Sequence, residues 1–268
     1  DGGVLFEHAY SHIPITGPSH SSLFTGRLPS EHGVHNNSQV LGEENTTLAE
    51  TFAAAGYETA AFVSLGVLNS RFGFDQGWDD YSNYIRDGGS TEAKDVFEKA
   101  GNWIEAHRDE RFFSYIQTID PHVPYDPPGE YVRMYDASEY SGQVKPRLTG
   151  DLLEKAKRRP PEVVFDARDK RRIEALHDGE ITQHDRFFGA FLDRLASLGL
   201  SEDTLIVVTS DHGEEFDDHG SWGHGHSIYQ ELLHVPLMFR LPNRVPAGGR
   251  VSDAVSTLDV SSTINELL

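Results

Sequence analysis

The stretch TGPSHSSLFTG, from Thr16 to Gly26, decides how the fold of this chain is interpreted. A hydroxyl-rich turn leads directly into a short predicted helix, with Pro18 at its start and Ser19 as the expected N-cap. The free N–H groups of a first helical turn attract anions, so Thr16 is placed to meet a phosphate or sulfate group. A capped surface helix without a site fits the stretch equally well, so the rest of the chain has to decide between them.

Composition bounds the class of protein. Hydrophobic residues make up 37% of the 268 residues, which permits a large core, and no composition shift indicates a linker between domains. There are 23 basic and 43 acidic side chains, and the net charge of -20 argues against nucleic acid as a partner. The absence of cysteine excludes thiolate metal sites and a cysteine nucleophile. No long apolar run or signal-peptide pattern occurs, so we expect a soluble chain without a membrane segment, of unknown localisation and oligomeric state.

Apolar runs alternate with helical patterns along the chain. Buried strands are predicted at 58–64, 112–119, 204–209 and 235–241, and helices at 47–56, 91–107, 169–198 and within 256–268. This order is typical of an α/β fold with a doubly wound, mostly parallel sheet and helices on both faces. Residues 73–84 predict a packed aromatic loop, and Val4 to Phe6 form a run too short to predict a strand. Residues 129–166 lack periodicity, which indicates an insertion or lid with a solvated basic patch.

Polar residues follow two of the predicted strands. Asp120 and His122 come after the strand at 112–119, and Asp211 and His212 come after the strand at 204–209. In open α/β sheets, ligands bind beyond the carboxyl ends of the strands. A carboxylate with an imidazole suits Mg, Mn, Zn or Ca, and the sequence does not choose among these divalent metals. Three further histidines lie between glycines and favour the same site, although the first of them is the most readily interpreted as solvated: His219, His224 and His226.

The order of these motifs resembles the sulfatase family of the alkaline phosphatase superfamily. Residues 16–26 resemble the sulfatase signature, in which Cys or Ser precedes x-Pro-Ser-Arg and a Leu-Thr-Gly ending. Residues 120–125 resemble the family's substrate-binding histidine loop, residues 205–214 the strand that ends in a metal-binding Asp-His-Gly, and residues 229–237 its Tyr-Glu-Glu and Val-Pro-Leu segment. The resemblance implies an alkaline phosphatase-like fold and a single sulfatase-like catalytic domain over residues 1–268, interrupted by the insertion at 129–166.

The departures from the family pattern concern the chemistry. Thr16 stands where sulfatases oxidise Cys or Ser to formylglycine, and its β-methyl group rules out that aldehyde, so no formylglycine is expected. The signature arginine is replaced by His20. The family also has metal-binding carboxylates on a first strand before the signature and a C-terminal subdomain. The sequence is expected to lack both, and therefore to be a partial catalytic domain.

The resemblance to phosphodiesterases, phosphoethanolamine transferases and lipoteichoic-acid synthase-like members of the superfamily implies a threonine nucleophile. A divalent metal at Thr16 would lower the pKa of its hydroxyl, and the resulting phospho-threonine would be resolved by water or an acceptor alcohol. The implied function is a metal-dependent hydrolase or transferase acting on a small anionic ester, with phosphate preferred over sulfate. The alternative is a catalytically impaired protein of the same fold that binds an anion or a partner without turnover.

The resemblance implies a role for each candidate residue. Asp211 and His212 are expected to bind the metal together with Thr16, whereas Asp120 either binds a second metal or caps its loop. The expected substrate contacts are on histidines: His122 and His226 hold the non-bridging oxygens or assist the leaving group, His224 substitutes for them, and His20 orients Thr16, binds the ester or caps the helix.

Overall fold

A computed structural model describes residues 2–268 of the chain. The strands are β1 (Val4–Tyr10), β2 (Glu58–Val63), β3 (Asp80–Asn83), β4 (Phe112–Gln117), β5 (Ile206–Thr209), β6 (Glu215–Phe216), β7 (Trp222–Gly223), β8 (His234–Arg240) and β9 (Gly249–Ser256). The helices are α1 (Thr16–Thr25), α2 (Pro29–His32), α3 (Leu48–Ala54), α4 (Tyr84–Asp87), α5 (Ala93–Ala106), α6 (Gly129–Tyr135), α7 (Thr149–Lys157), α8 (Ala167–Ser197), α9 (Gln230–Leu233) and α10 (Asp259–Leu267).

The strands form two larger sheets and one short antiparallel pair. The first sheet has the order β5-β8-β1-β9 and the second has the order β3-β2-β4. Every pair in the second sheet is parallel, and β1 is parallel to β9. The predicted α/β class is therefore confirmed, with a second sheet that is parallel throughout.

One strand, β8, runs antiparallel to both of its neighbours, β1 and β5. Its last four residues pair with β5, with Leu237 opposite Thr209 and Arg240 opposite Ile206. The segment between the two strands therefore stays beyond the carboxyl end of β5 instead of crossing over the sheet. A parallel connection needs a crossover that returns to the opposite end.

Three strands of the two larger sheets were missed or shortened by the prediction, and so was the short pair β6 and β7. The first is β1, which extends from Val4 to Tyr10 and lies inside the first sheet. Its neighbours β8 and β9 form backbone hydrogen bonds with it on both sides, so the strand continues through its polar residues. The other two are β3 and β9, which are edge strands. An edge strand with polar side chains lacks the apolar run by which buried strands are identified.

The helix signals were more reliable. Thr47 and Glu50 form the predicted capping box at the start of α3. The apolar face of α5 packs, as predicted, through Val96, Phe97 and Ile104 into a core shared with α8. The N-cap of α8 is Asp166, whose side chain accepts hydrogen bonds from two backbone N–H groups. None of the helices within residues 2–268 is long and apolar enough to cross a membrane.

The predicted start of α1 was wrong. The helix begins at Thr16, three residues before the expected N-cap, and Ser19 lies inside its first turns. Pro18 has no N–H, and the N–H of Gly17 donates to Asn37 Oδ1 at 2.7 Å. The first turn therefore offers an anion fewer free N–H groups than the sequence predicts, so an anion near Thr16 would have to depend on side chains or a metal.

Residues 129–166 contain α6 and α7, which pack with α8 around a core of their own. This core includes Tyr125 before the segment and Trp222 after it. The basic patch is paired as a solvated surface would be: Lys155 with Asp151 at 2.6 Å, Lys157 with Glu154 at 2.9 Å, and Arg158 with Glu162. The segment thus forms one wall beside the carboxyl ends of β4 and β5.

Candidate active site

Three segments from distant parts of the sequence meet at Thr16. The first is the N-terminus of α1, which carries Thr16 itself. The second is the loop after β5 with Asp211 and His212, and the third brings His224 from the end of β7. Thr16 Oγ1 lies 3.4 Å from His212 Nε2, and the Thr16 side chain is buried. The predicted proximity of the signature and the Asp-His-Gly motif is therefore present in the structure.

Helix α1 also holds the loop after β5 in place. Ser19 Oγ donates to the backbone carbonyl of Asp211 at 2.7 Å and is within 3.1 Å of Ser11 Oγ. Gly213 follows, and a Cβ at this position would lie 2.0 Å from the carbonyl oxygen of Glu231. Only glycine permits that approach, so the bend that presents Asp211 and His212 together depends on it.

The carboxylate of Asp211 is surrounded by imidazoles. Its Oδ2 lies 3.4 Å from His212 Nε2 and 3.6 Å from His20 Nδ1. Burial acts to raise the pKa of Asp211, but the nearby histidines, with His212 first, outweigh burial and lower it. Asp211 therefore stays ionised, yet its Oδ2 is buried and has no hydrogen-bond partner among residues 2–268.

The hydrogen bonds of three histidines fix their tautomers. His212 Nδ1 donates to the Gly213 carbonyl at 2.9 Å, and His122 Nδ1 donates to the Val123 carbonyl at 2.7 Å. His224 Nδ1 lies 3.0 Å from Glu214 Oε1. Because carbonyl and carboxylate oxygens accept, each of these rings keeps Nε2 as the nitrogen that can bind a metal or act on a substrate.

These rings are also close to one another. The centroids of His212 and His224 are 4.1 Å apart, and those of His224 and His122 are 5.5 Å apart. We call the group formed by Thr16, Asp211, His212, Glu214 and His224 the Thr16 cluster; His122 lies at its edge. Burial acts to raise the pKa of Glu214, but its hydrogen bond with His224 and the neighbouring imidazoles lower it, so the cluster contains two ionised carboxylates.

His20 lies beneath this group. Its Nδ1 donates to the Thr16 carbonyl at 2.8 Å, and its ring meets Phe24 and Tyr115 edge to face. Burial lowers the pKa of His20, with Asp211 opposing that effect only in part. A neutral, buried His20 is in contact with the backbone of Thr16. Its roles in orienting Thr16, binding the ester or capping the helix stay predictions.

Two candidates lie elsewhere. Burial raises the pKa of Asp120, while a hydrogen bond with the Ala93 backbone lowers it and the charge of Glu92 raises it further. Within residues 2–268 no hydrogen bond or ion pair joins the Asp120 side chain to the Thr16 cluster, and both of its predicted roles, second-metal ligand and loop cap, stay predictions. His226 Nε2 lies 2.6 Å from Glu215 Oε2, in a second group of side chains.

This second group, the Glu215 cluster, consists of Glu215, His219, His226 and Glu231. Glu215 is buried, and its Oε1 accepts from the N–H groups of His219 and Ser221. His219 Nδ1 lies 2.6 Å from Glu231 Oε1, and its ring stacks on Tyr229 at 3.6 Å. Ligand atoms of Glu215, His219 and Glu231 lie within 4.8 Å of one another. They already have hydrogen-bond partners, since His219 pairs with Glu231 and Glu215 pairs with His226.

A sulfatase family model matches residues 1–268. The chain belongs to the sulfatase family. It is 23% identical to an N-acetylglucosamine-6-O-sulfatase of Bacteroides thetaiotaomicron over 97% of this chain and 60% of that protein. It is 25% identical to the low-salt glycan biosynthesis sulfotransferase Agl7 of Haloferax volcanii over 93% of this chain and 51% of that protein. The chain thus spans about 60% or less of the length of these two relatives.

Solved structures agree with this membership. The phosphonate monoester hydrolase from Silicibacter pomeroyi superposes with a TM-score of 0.80 at 21% identity, covering 99% of this sulfatase chain and 66% of that one. Identity at this level shows the fold alone. The family predicted from the motifs is confirmed.

Divalent metals are implied for this sulfatase family member by its Asp-His-Gly motif, and the residues fit such an ion. Asp211 offers a buried carboxylate oxygen without a partner. His212 offers Nε2 at 3.4 Å from that oxygen, and Thr16 Oγ1 lies 3.4 Å from the same nitrogen. A carboxylate, an imidazole and a hydroxyl converging on one point form a donor set suited to a divalent cation.

The sequence prediction missed Glu214 in the Thr16 cluster and Glu215 in the Glu215 cluster, and it gave Ser19 the wrong role. Glu214 directly follows Asp211-His212-Gly213, and that adjacency was the available signal. Ser19 was assigned to the wrong task, because its hydroxyl holds the Asp211 backbone instead of capping a helix. Glu215 gave no signal, since its partners come from residues that fold back onto it.

A cavity of about 150 Å³ opens beside the Thr16 cluster. It is bounded by His122, Glu214 and His224 on the cluster side and by α7 on the other. A larger and more open depression of about 590 Å³ lies around Arg240 and Val245 and contains none of the predicted site residues. The smaller cavity is therefore the one in contact with the candidate chemistry.

Proposed function

We propose that this sulfatase-family chain is the catalytic portion of a metal-dependent hydrolase or transferase that cleaves a phosphate ester, or a sulfate ester, through Thr16. The observation that carries the proposal is the buried Thr16 hydroxyl, 3.4 Å from His212 Nε2 and next to the partnerless Asp211 oxygen. A hydroxyl is a weak nucleophile at its ordinary pKa, so it needs a base or a cation beside it. The Thr16 cluster has places for both.

Thr16, Asp211 and His212 would hold the metal. When bound, a divalent ion supplies stabilisation of negative charge and lowers the pKa of a hydroxyl beside it. His20 holds the Thr16 backbone, and Ser19 holds the Asp211 backbone, so both reacting side chains are fixed by α1. His122 and His224 line the cavity. Either ring, once protonated on Nε2, can donate that proton to the leaving alcohol or donate a hydrogen bond to the ester oxygens.

His226 and Asp120 keep their predicted roles as weaker parts of the proposal. The contact that supports His226 is its pairing with Glu215, which leaves Nδ1 for a substrate. Among residues 2–268, Asp120 is not part of a group of side chains that could hold a second metal ion.

The preference for phosphorus comes from Thr16. The relatives named as sulfatases indicate sulfate esters for those proteins, and a sulfate substrate remains the alternative for this chain. A threonine cannot become formylglycine, so the reaction has to proceed by direct attack of its hydroxyl. Attack at phosphorus by an activated hydroxyl gives a phospho-threonine, which water or an acceptor alcohol then cleaves.

A second candidate function is anion or partner binding without turnover. It is favoured by the position of Asp120, whose side chain has no hydrogen bond or ion pair with the Thr16 cluster. Within residues 2–268 the proposed metal is then left with three donors, Thr16, Asp211 and His212. Three protein donors can also hold a catalytic metal with an open position. The two candidates therefore differ in whether the protein turns over an ester when metal is supplied.

The experiment measures hydrolysis of 4-nitrophenyl phosphate, bis(4-nitrophenyl) phosphate and 4-nitrophenyl sulfate with Mg²⁺, Mn²⁺, Zn²⁺ or Ca²⁺ and after chelation. We expect a phosphate ester to be the best substrate and chelation to abolish turnover. Thr16→Ala should lower kcat by at least about 10³-fold, whereas Thr16→Ser, which keeps the hydroxyl, should retain more activity.

Mass spectrometry of the wild type should show an unmodified Thr16 and, after rapid quenching, a phosphorylated peptide that contains it. Turnover that survives Thr16→Ala contradicts the nucleophile assignment. A protein that binds no metal and cleaves none of the three esters supports the binding function instead.

A further inference from the structure

The cavity of about 150 Å³ next to the Thr16 cluster has one wall made by α7, which belongs to the 129–166 segment. Its cluster side carries His122 and His224, the rings proposed to meet the leaving group. A cavity of about 150 Å³ accommodates a ring the size of benzene. An ester cleaved at Thr16 would therefore extend its alcohol portion into this cavity, with room for a single six-membered ring.

The wall on α7 carries Lys157 and Glu154. Lys157 Nζ pairs with Glu154 Oε1 at 2.9 Å, and the Glu154 side chain is 69% exposed. An exposed ion pair of this kind contributes little to stability. The ammonium can therefore exchange this partner for a group on a ligand at low cost.

The position of Lys157 depends on Gly223, at the end of β7. A Cβ at Gly223 would lie 2.7 Å from Lys157 Nζ and 3.4 Å from Glu214 Oε1. Gly223 has φ +74°, which glycine adopts without strain. The missing side chain thus lets the ammonium approach the backbone beside His224, facing the cavity.

The chemistry of the lining selects the class of leaving group. The carboxylates of Glu154 and Glu214 flank the ammonium, so a second anionic group here would be repelled. A hydroxyl can accept from the ammonium and donate to a carboxylate at the same time. Val123 and Leu153 provide the apolar part of the lining, against which the face of a ring can pack.

We propose that Lys157 is a specificity-determining residue that hydrogen-bonds the leaving alcohol, and that the cavity selects esters of a single hydroxylated ring. This inference rests on the proposed function, because it assigns the leaving-group side of the same site. It gives the 129–166 segment a defined task, which is to supply the wall that recognises the alcohol.

The test compares two esters that have the same reacting group, a 4-nitrophenyl ester and a monosaccharide 6-ester of phosphate or sulfate, whichever the wild type cleaves. Lys157→Met should lower kcat/KM for the sugar ester by about tenfold or more, because a hydrogen bond to a charged group is lost. The aryl ester has no hydroxyl there, so its kcat/KM should change much less. Lys155→Met is the matched control: this lysine is on the same helix, pairs with Asp151 at 2.6 Å and does not line the cavity.

The outcomes separate this inference from the proposed function. A wild type that cleaves the aryl ester but not the sugar ester, or a Lys157→Met variant that loses both activities equally or neither, overturns the specificity assignment and leaves the proposed function standing. A wild type that cleaves no ester overturns both. Selective loss for the sugar ester, with partial recovery in Lys157→Arg and none of it in Lys155→Met, supports the inference.

Discussion

The Thr16 cluster and the Glu215 cluster both take their acidic and histidine side chains from residues 211–231, and the first adds Thr16 from α1; they differ in the pairing of the buried carboxylate. In the Glu215 cluster the buried carboxylate is fully paired, with His226 and with the N–H groups of His219 and Ser221. In the Thr16 cluster, Asp211 Oδ2 is buried and has no hydrogen-bond partner within residues 2–268.

This difference indicates what each cluster is for. Leaving a buried polar group without a partner costs about 1–3 kcal/mol, so such atoms are rare unless a ligand completes them. The paired carboxylate stabilises the fold of the loops around it. The partnerless carboxylate, kept ionised by imidazoles, is where a cation would bind.

The largest expected effect comes from removing the partnerless carboxylate. Asp211→Asn should lower kcat by at least about 10³-fold and abolish stoichiometric metal binding, because a charged ligand is lost. Without added metal, its free energy of unfolding should change by less than about 1 kcal/mol. Activity, metal content and denaturant unfolding are measured together, with the exposed Asp203→Asn as the control. A variant that retains its metal would show that Asp211 is not a ligand.

The next largest effect is expected in the Glu215 cluster, where a substitution should lower stability and leave metal binding unchanged. Glu215→Ala should lower the free energy of unfolding by about 3 kcal/mol, because two backbone N–H groups and His226 lose a buried partner. Metal bound per folded molecule should stay the same. Urea unfolding and metal analysis test this, with Glu202→Ala, whose side chain is 70% exposed, as the control. Loss of metal with unchanged stability would mean that the two clusters have exchanged their roles.

A third buried carboxylate sharpens the comparison through its pKa. Glu180, on α8, accepts from the Asp126 N–H through Oε1, and its Oε2 is buried without a partner within residues 2–268. Here burial raises the pKa to about 8, with the charges of Asp120 and Asp126 adding to the effect. No cation is needed, because the carboxyl takes a proton instead.

The sign of its pH dependence follows from that pKa. In the folded state Glu180 holds its proton up to about pH 8, whereas the unfolded chain releases it near 4.5. The folded state binds more protons between these values, so stability falls as pH rises, by up to about 1.4 kcal/mol per pH unit. Glu180→Gln should remove most of this slope. Unfolding curves from pH 5 to 8 measure it, and an unchanged slope would contradict the raised pKa.

The smallest effect is expected at His219. Its side chain is 43% exposed, and its ion pair with Glu231 is close to solvent. His219→Gln should therefore lower the free energy of unfolding by no more than about 1 kcal/mol and leave metal content unchanged. If the variant loses a metal ion, then the set Glu215, His219 and Glu231 binds one, and the contrast between the clusters fails.

The predictable parts of the fold were those with a local cause. The capping box at Thr47 and the apolar faces of α5 and α8 are repeated signals within a few turns, and the buried strands β2, β4 and β5 are continuous apolar runs. The edges of sheets and the direction of β8 depend on neighbours far along the chain. Within the site, Asp211 and His212 were identifiable because they directly follow a strong strand, whereas the tasks of Ser19 and Glu215 depend on loops that meet them only after folding.

The sequence by itself determined the family, through four motifs in order, and it determined that the first position of the signature holds a threonine, which cannot become formylglycine. Those properties depend on residue identity and spacing alone. Only the tertiary structure decided which acid and histidine residues share a site, because the two neighbouring carboxylates Glu214 and Glu215 pair with different histidines, His224 and His226. It also decided which buried oxygen is left without a partner, since hydrogen bonding is a property of the assembled loops.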